Sequence, residues 1–237
     1  MKKIVVNVAT YGREDYPQAQ DRLIYNFTEN SWDGDYMMFS DKPRLHEKQV
    51  MINDIIGSGI RPNSEVPYAF KPDSMRKAAL AGYTKIMWCD STIMMLKNLD
   101  PLFEIAAERG VVAFHNLGHD LNDYISDYAA DQLGILDKLK RKISISQIMA
   151  CCIIFDLDND KGNEIFTSWF DSSYHKGMFE NSESWRPEFK AHRHDQAILS
   201  GLLYQHDIEL CRYGMLVYEP HDRTKEFGDP FLLNKGL

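Results

Sequence analysis

The chain opens with KIVVNVAT (residues 3–10), a β-branched run that closes on Tyr11-Gly12, and from there short apolar runs alternate with stretches patterned as helices. That alternation constrains the fold more than any other feature. Residues 15–30 carry Leu23, Ile24 and Phe27 at helical spacing, and DYMMFSD (35–41) is a second short strand. Residues 42–66 are weakly patterned and hold Gly57, Gly59 and Pro62, with Pro67 just beyond, which predicts a loop-rich insertion or short helices. A short helix is expected from Asp73 to Gly82, where the glycine supplies the stop. KIMWCDSTIMM (85–95) then reads as a buried strand interrupted by one acid, Asp90. Asp100-Pro101 opens the next helix, with aspartate as N-cap and proline in first position, and Gly110 ends it. VVAFHN (111–116) is a strand, 121–142 a helix with a break near Gly134, and QIMACCIIFDLDN (147–159) the strongest strand after the first. Residues 160–175 and 194–206 are amphipathic helices, and MLVYEPH (215–221) is a last strand ending at a proline.

Strands alternating with helices predict a three-layer α/β/α sandwich around a mostly parallel central sheet, as one domain over 1–237. No linker, low-complexity stretch or internal repeat interrupts it. In such sheets ligands sit beyond the carboxyl ends of the strands. The rule places Thr10 to Arg13, Asp90 to Thr92 and the segment after Phe155 along one rim.

Composition removes several classes. A chain of 237 residues can bury a substantial core, and its formal net charge of −8 argues against a broad nucleic-acid-binding face. Cys89, Cys151, Cys152 and Cys211 show no CxxC spacing and read as buried, reduced thiols of a cytoplasmic protein. No apolar stretch approaches the roughly 20 residues a bilayer span requires. The opening MKKIVVNVATYG alternates like a strand and leads into Arg13-Glu14-Asp15, so it reads as core and not as a leader.

Four constellations carry the chemistry. Asp90, at the end of a buried strand, is held rigidly at the sheet rim, where it can meet a cation or a ribose hydroxyl, or simply cap a turn. Upstream, YAFKPDSMRKAALAGY (68–83) brings Lys71, Arg76 and Lys77 to a helix start, a combination of side-chain and backbone donors that suits a diphosphate. EFKAHRHDQAILSGLL (188–203) gathers His192, His194, Asp195 and Gln196 at another helix start, more densely than capping needs. Pro220-His221-Asp222 follows the last strand and offers a late imidazole.

In this order the motifs resemble those of nucleotide-sugar-dependent glycosyltransferases with the A-type fold. The sequence runs from a strand ending in Thr-Tyr-Gly through an aromatic-Lys-Pro helix start, WCDST, NLDPLFE and MACCIIF to HDQAILS and a late His. The resemblance is strongest in Tyr68–Glu104 and in HRHDQAILS. It implies the A-type (nucleotide-diphospho-sugar transferase) fold, a nucleoside-diphosphate sugar as donor, and a glycan or other hydroxyl compound as acceptor, a nucleic acid being the least expected. Asp90 matches the first acid of the family's Asp-x-Asp motif, which meets the donor ribose and a Mn or Mg ion on the diphosphate. Asp195 matches the acid near the reacting sugar, as base or orienting group, flanked by His194 and Gln196. His221 falls where a late histidine contacts metal or diphosphate. Thr10, Tyr11 and Arg13 match the loop that cradles the nucleotide, and Lys71 is expected near the diphosphate. The second acid of the motif is replaced by Thr92, so an ion would have to rest on Asp90 and His221, with His194 and diphosphate oxygens as further ligands, or Lys71 and Arg13 would have to neutralise the leaving group without one. Two rival activities stay open: a non-catalytic nucleotide-sugar binder and a nucleotidyltransferase.

Overall fold

The computed structural model describes residues 2–10, 15–212, 214–218 and 230–236. Tyr11, Arg13 and His221 lie outside the described residues. Strands β1 (Lys3–Ala9), β2 (Asp35–Ser40), β3 (Arg44–Leu45), β4 (Met51–Asp54), β5 (Lys85–Cys89), β7 (Val111–Asp120) and β8 (Ser146–Asp156) form a sheet in the order β3-β4-β2-β1-β5-β8-β7. β1, β2, β4, β5 and β7 run one way and β3 and β8 the other, so the sheet is mostly parallel. A smaller sheet, β6-β10-β9, joins β6 (Ile93–Met95), β10 (Leu232–Asn234) and β9 (Leu216–Tyr218).

Every residue of β1 is buried, as expected of a central strand covered on both faces. The period-two alternation of side chains divides the core. Ile4, Val6, Ile86, Trp88, Ile153 and Phe155 face one layer, made of α2 (Phe70–Leu80), α7 (Asp160–Ser172) and α8 (His194–Gln205) together with the short helices α4 (Leu121–Tyr124), α5 (Asp127–Gln132) and α6 (Leu136–Lys140). Val5, Met87, Cys89, Cys152 and Ile154 face the other, made of α1 (Asp15–Glu29), α3 (Asp100–Arg109) and the small sheet. The architecture is the expected α/β/α sandwich.

Several local expectations are corrected. The apolar run after Asp90 does not continue β5: the chain turns at Ser91-Thr92, and Ile93–Met95 pairs with β10 in the second sheet. The helix expected at Asp73 begins at Phe70, because Pro72 falls within the first turn, where its missing N–H would have had no intrahelical partner. Asp100 is not an N-cap. Its carboxylate instead binds Lys3, which also meets Asp33 at 2.6 Å, at the amino end of the sheet. The stretch 121–142 is three short helices, with two caps, Asp120 accepting from Asn122 N–H and Ser126 accepting from Ala129 N–H, that restart the chain. Because β8 is antiparallel to β5, Asp156 pairs in register with Lys85 at the far end of the sheet. The segment after Phe155 is therefore remote from the rim, and Ala150-Cys151 takes its place.

All four cysteines are free, Cys151 partly exposed and the others buried. Burial raises their thiols, that of Cys151 to about 12, which keeps them protonated and unreactive. No helix of the described residues is long and apolar enough to cross a membrane.

Candidate active site

A cleft of about 770 Å³ opens over the carboxyl end of β5, within the size range of small-molecule sites. Asp90 stands where β5 ends. Its backbone N–H donates to Cys151 O at 2.8 Å and the Trp88 indole donates to its Oδ1 at 2.7 Å, so both backbone and carboxylate are fixed. Beneath it Asn7, fully buried in β1, donates to Cys89 O at 2.7 Å and to Ser91 Oγ at 3.1 Å. Gln20 of α1 in turn donates to Asn7 Oδ1 at 2.7 Å. This polar network ties β1, β5 and α1 together at the rim.

Lys71, in the first turn of α2, is turned inward between the rings of Tyr68 and Trp88, at 5.5 and 5.4 Å. Its Nζ donates to Ala150 O at 2.9 Å and lies 3.3 Å from Asp90 Oδ1 and 3.4 Å from Asp195 Oδ2. Burial works against the ammonium, but the Asp195 and Asp90 carboxylates outweigh it and hold the pKa well above that of an ordinary lysine. Asp195, in the first turn of α8, is 3% exposed. Burial pushes its carboxyl up, Lys71 pulls it back and Asp90 adds to the rise. Apart from the ionic contact to Lys71, its Oδ2 receives no hydrogen bond among the described residues.

The loop before α8 is locked from outside. Arg186, 3% exposed, donates from Nε to Asp127 Oδ1 at 2.7 Å and from Nη1 to Asn122 O at 3.0 Å, and also reaches Ile125 O. His192 is part of the same lock. Ser126 N–H donates to its Nδ1 at 3.2 Å, its Nε2 meets Met178 O at 2.7 Å, and burial lowers its pKa to about 4. It is a neutral structural imidazole. His192 and His194 both border the cleft; His194 is the less buried, its Nδ1 meets Phe179 O at 2.6 Å, and its ring stacks on Tyr68 at 5.3 Å. Both His194 and Tyr68, on the cleft wall, have positive φ, 43° and 60°, a conformation uncommon outside glycine.

Lys71, Asp90 and the consecutive His194, Asp195 and Gln196, from three separate stretches of the sequence, thus line one cleft. Thr10 is exposed just past β1, and Thr92 lies in the turn after Asp90, its carbonyl accepting from Lys235 N–H at 3.0 Å; neither lines the cleft. Arg76 is exposed and packs on the Phe170 ring at 5.9 Å, and neither it nor Lys77 reaches the cleft, so the helix start delivers one cation and not three. Sequence reasoning passed over Tyr68, Asn116, His119 and Arg193 of the lining. Only Arg193 carried a signal, since it is the cation inside HRHDQ.

Mn and Mg take several oxygen ligands. Among the described residues no group of three or more His, Cys, Asp or Glu is placed to hold a metal, and both acids of the cleft are already engaged by Lys71. The described residues therefore do not by themselves fit such an ion.

This sheet, with a rim acid on β5 and a second acid on α8, has the A-type fold of nucleotide-sugar glycosyltransferases. The bifunctional glycosyltransferase WbbM superposes with a TM-score of 0.59 at 12% identity, over 100% of this chain and 46% of its own, so the chain spans under half of that relative. Mouse xyloside xylosyltransferase 1 gives 0.59 at 10% identity, over 100% and 98% of the two chains. The galactosyltransferase LgtC, solved with donor and acceptor sugar analogues, gives 0.52 at 13%, over 98% and 86%. No protein-family model matches the sequence, and no curated protein does.

Proposed function

We propose that the chain transfers a sugar from a nucleoside-diphosphate sugar to an acceptor hydroxyl. One observation carries the reading: in an A-type fold, Asp90 and Asp195 flank one buried ammonium in a cleft of about 770 Å³. The nucleotide would lie over the end of β1, by Thr10, Tyr11 and Arg13, where chain connections leave the sheet in opposite directions. Asp90 would meet the donor and Asp195 the reacting sugar, with His194 and Gln196 beside it. Asp195 is suited to accept the proton of an attacking hydroxyl, because its raised pKa makes it a stronger base than an exposed carboxylate.

The departing nucleoside diphosphate requires positive charge. Lys71 has none to spare, since two carboxylates face one ammonium. The neutralising cation must then come from outside this triad: from Arg13, or from a Mn or Mg ion resting on Asp90 with His221. A second reading, a nucleotide-sugar binder without turnover, is favoured by Thr92 in the place of the second acid.

The test is incubation of purified protein with a panel of nucleoside-diphosphate sugars, with EDTA and with added Mn. Release of nucleoside diphosphate supports transfer, pyrophosphate released when a nucleoside triphosphate and a sugar 1-phosphate are supplied instead identifies a nucleotidyltransferase, and saturable binding without either product identifies the binder. Turnover that survives EDTA assigns the neutralising charge to side chains; turnover that only Mn restores assigns it to an ion.

A further inference from the structure

The cleft extends sideways from Asp90 to Asn116, Leu117 and His119, on the outer part of β7. β5 and β8 separate β1 from β7, so at about 4.8 Å per strand this wall lies roughly 14 Å from the strand assigned to the nucleotide. On the glycosyltransferase reading, that leaves this wall to the acceptor. There the Tyr124 ring is met by Arg193 Cζ at 5.1 Å, by Lys190 Nζ at 5.6 Å and by the His119 ring at 5.2 Å. Lys190 is matched by Asp123 at 2.7 Å. Arg193 is exposed, lines the cleft, and forms no ion pair among the described residues. A guanidinium seated on an aromatic face is held in place before any ligand arrives, and its planar donors suit phosphate and carboxylate oxygens. In a chain of net charge −8, an unmatched cation two residues from Asp195 is well placed to select an anion.

We infer that the acceptor carries an anionic group, a phosphate or a carboxylate, which binds Arg193 on the Tyr124–His119 wall. This rests on the glycosyltransferase reading for the word acceptor; the anion site itself does not.

The experiment is thermal unfolding of wild type, Arg193→Gln and Arg193→Lys in inorganic phosphate, acetate or chloride at constant ionic strength, without and with UDP or GDP. Phosphate or acetate is expected to raise the wild-type Tm over chloride by roughly 3 °C at tenfold the dissociation constant. The glutamine variant should lose that increment and the lysine variant keep part of it. General salting effects persist in all three proteins and cancel in the comparison. Which anion acts tells a phosphorylated acceptor from a carboxylated one. An increment kept in Arg193→Gln, or absent from wild type, overturns the site. An increment abolished by UDP or GDP places Arg193 on the donor's phosphates and overturns the acceptor assignment. If no nucleoside diphosphate or its sugar shifts the Tm while the anion increment depends on Arg193, the anion site stands and the glycosyltransferase reading fails.

Discussion

Lys71 Nζ lies 3.4 Å from Asp195 Oδ2, and both side chains are almost wholly withdrawn from solvent, at 5% and 4% exposure. Neither charge is affordable in that position without the other. Removing one member of a buried pair costs about 3–5 kcal/mol, because the survivor is left desolvated and unmatched.

Lys71→Met should therefore destabilise the protein by about 3 kcal/mol at pH 8. The loss should shrink toward pH 5. Without the ammonium, the Asp195 pKa moves further above its unfolded value, so the folded state binds more protons than the unfolded one and gains stability as pH falls. Urea titrations at the two pH values decide the point; equal losses would show that the two side chains are not coupled.

Asp195→Asn and Asp90→Asn keep the shape of the site and remove its carboxylates. If sugar transfer is the activity, each should lower turnover by about 100-fold or more. The measurement is the rate of nucleoside diphosphate release, with circular dichroism to confirm the fold. Full turnover in both variants would remove these residues from the chemistry.

His192 makes stability depend on pH in the opposite sense. Its folded pKa, about 4, lies below the unfolded value, so between pH 6.5 and 4 the unfolded chain takes up a proton that the folded one refuses. Stability should fall across that window by up to about 3 kcal/mol on this account. His192→Gln, which cannot titrate, should show a correspondingly flatter profile in denaturation midpoints measured from pH 7 to 4.

Arg186→Met tests the lock on the loop before α8. It leaves the half-buried Asp127 carboxylate with only the Ser184 hydroxyl and the Trp185 N–H, and takes the Arg186 donor from the carbonyls of Asn122 and Ile125. A loss of about 3 kcal/mol is expected, seen as a lower urea midpoint at unchanged slope. Because the same loop carries His192 and leads into Asp195 at the start of α8, turnover should fall as well. A variant as stable as wild type would show that the loop is held by other contacts.

The alternation of apolar runs and helical stretches was enough to place most of the elements and the layering, because periodicity is a local property that burial preserves. β1, α1 and α7 lie close to their expected bounds for that reason. Strand direction was not legible: QIMACCIIF reads alike in either sense, and only pairing with β5 showed that it runs backward and brings Ala150 to the rim. β10, three residues long, has no pattern of its own and exists because Ile93–Met95 offers it an edge.

By itself the sequence determined that a rigid acid, Asp90, would stand at the end of a buried strand, and that Asp195 would open a helix. Both follow from local pattern. Only the tertiary structure decided that Lys71, 19 and 124 positions from them, would sit between the two and pair with both. Charge balance in a desolvated site depends on which side chains the fold brings within a few ångströms, and spacing along the chain does not encode it.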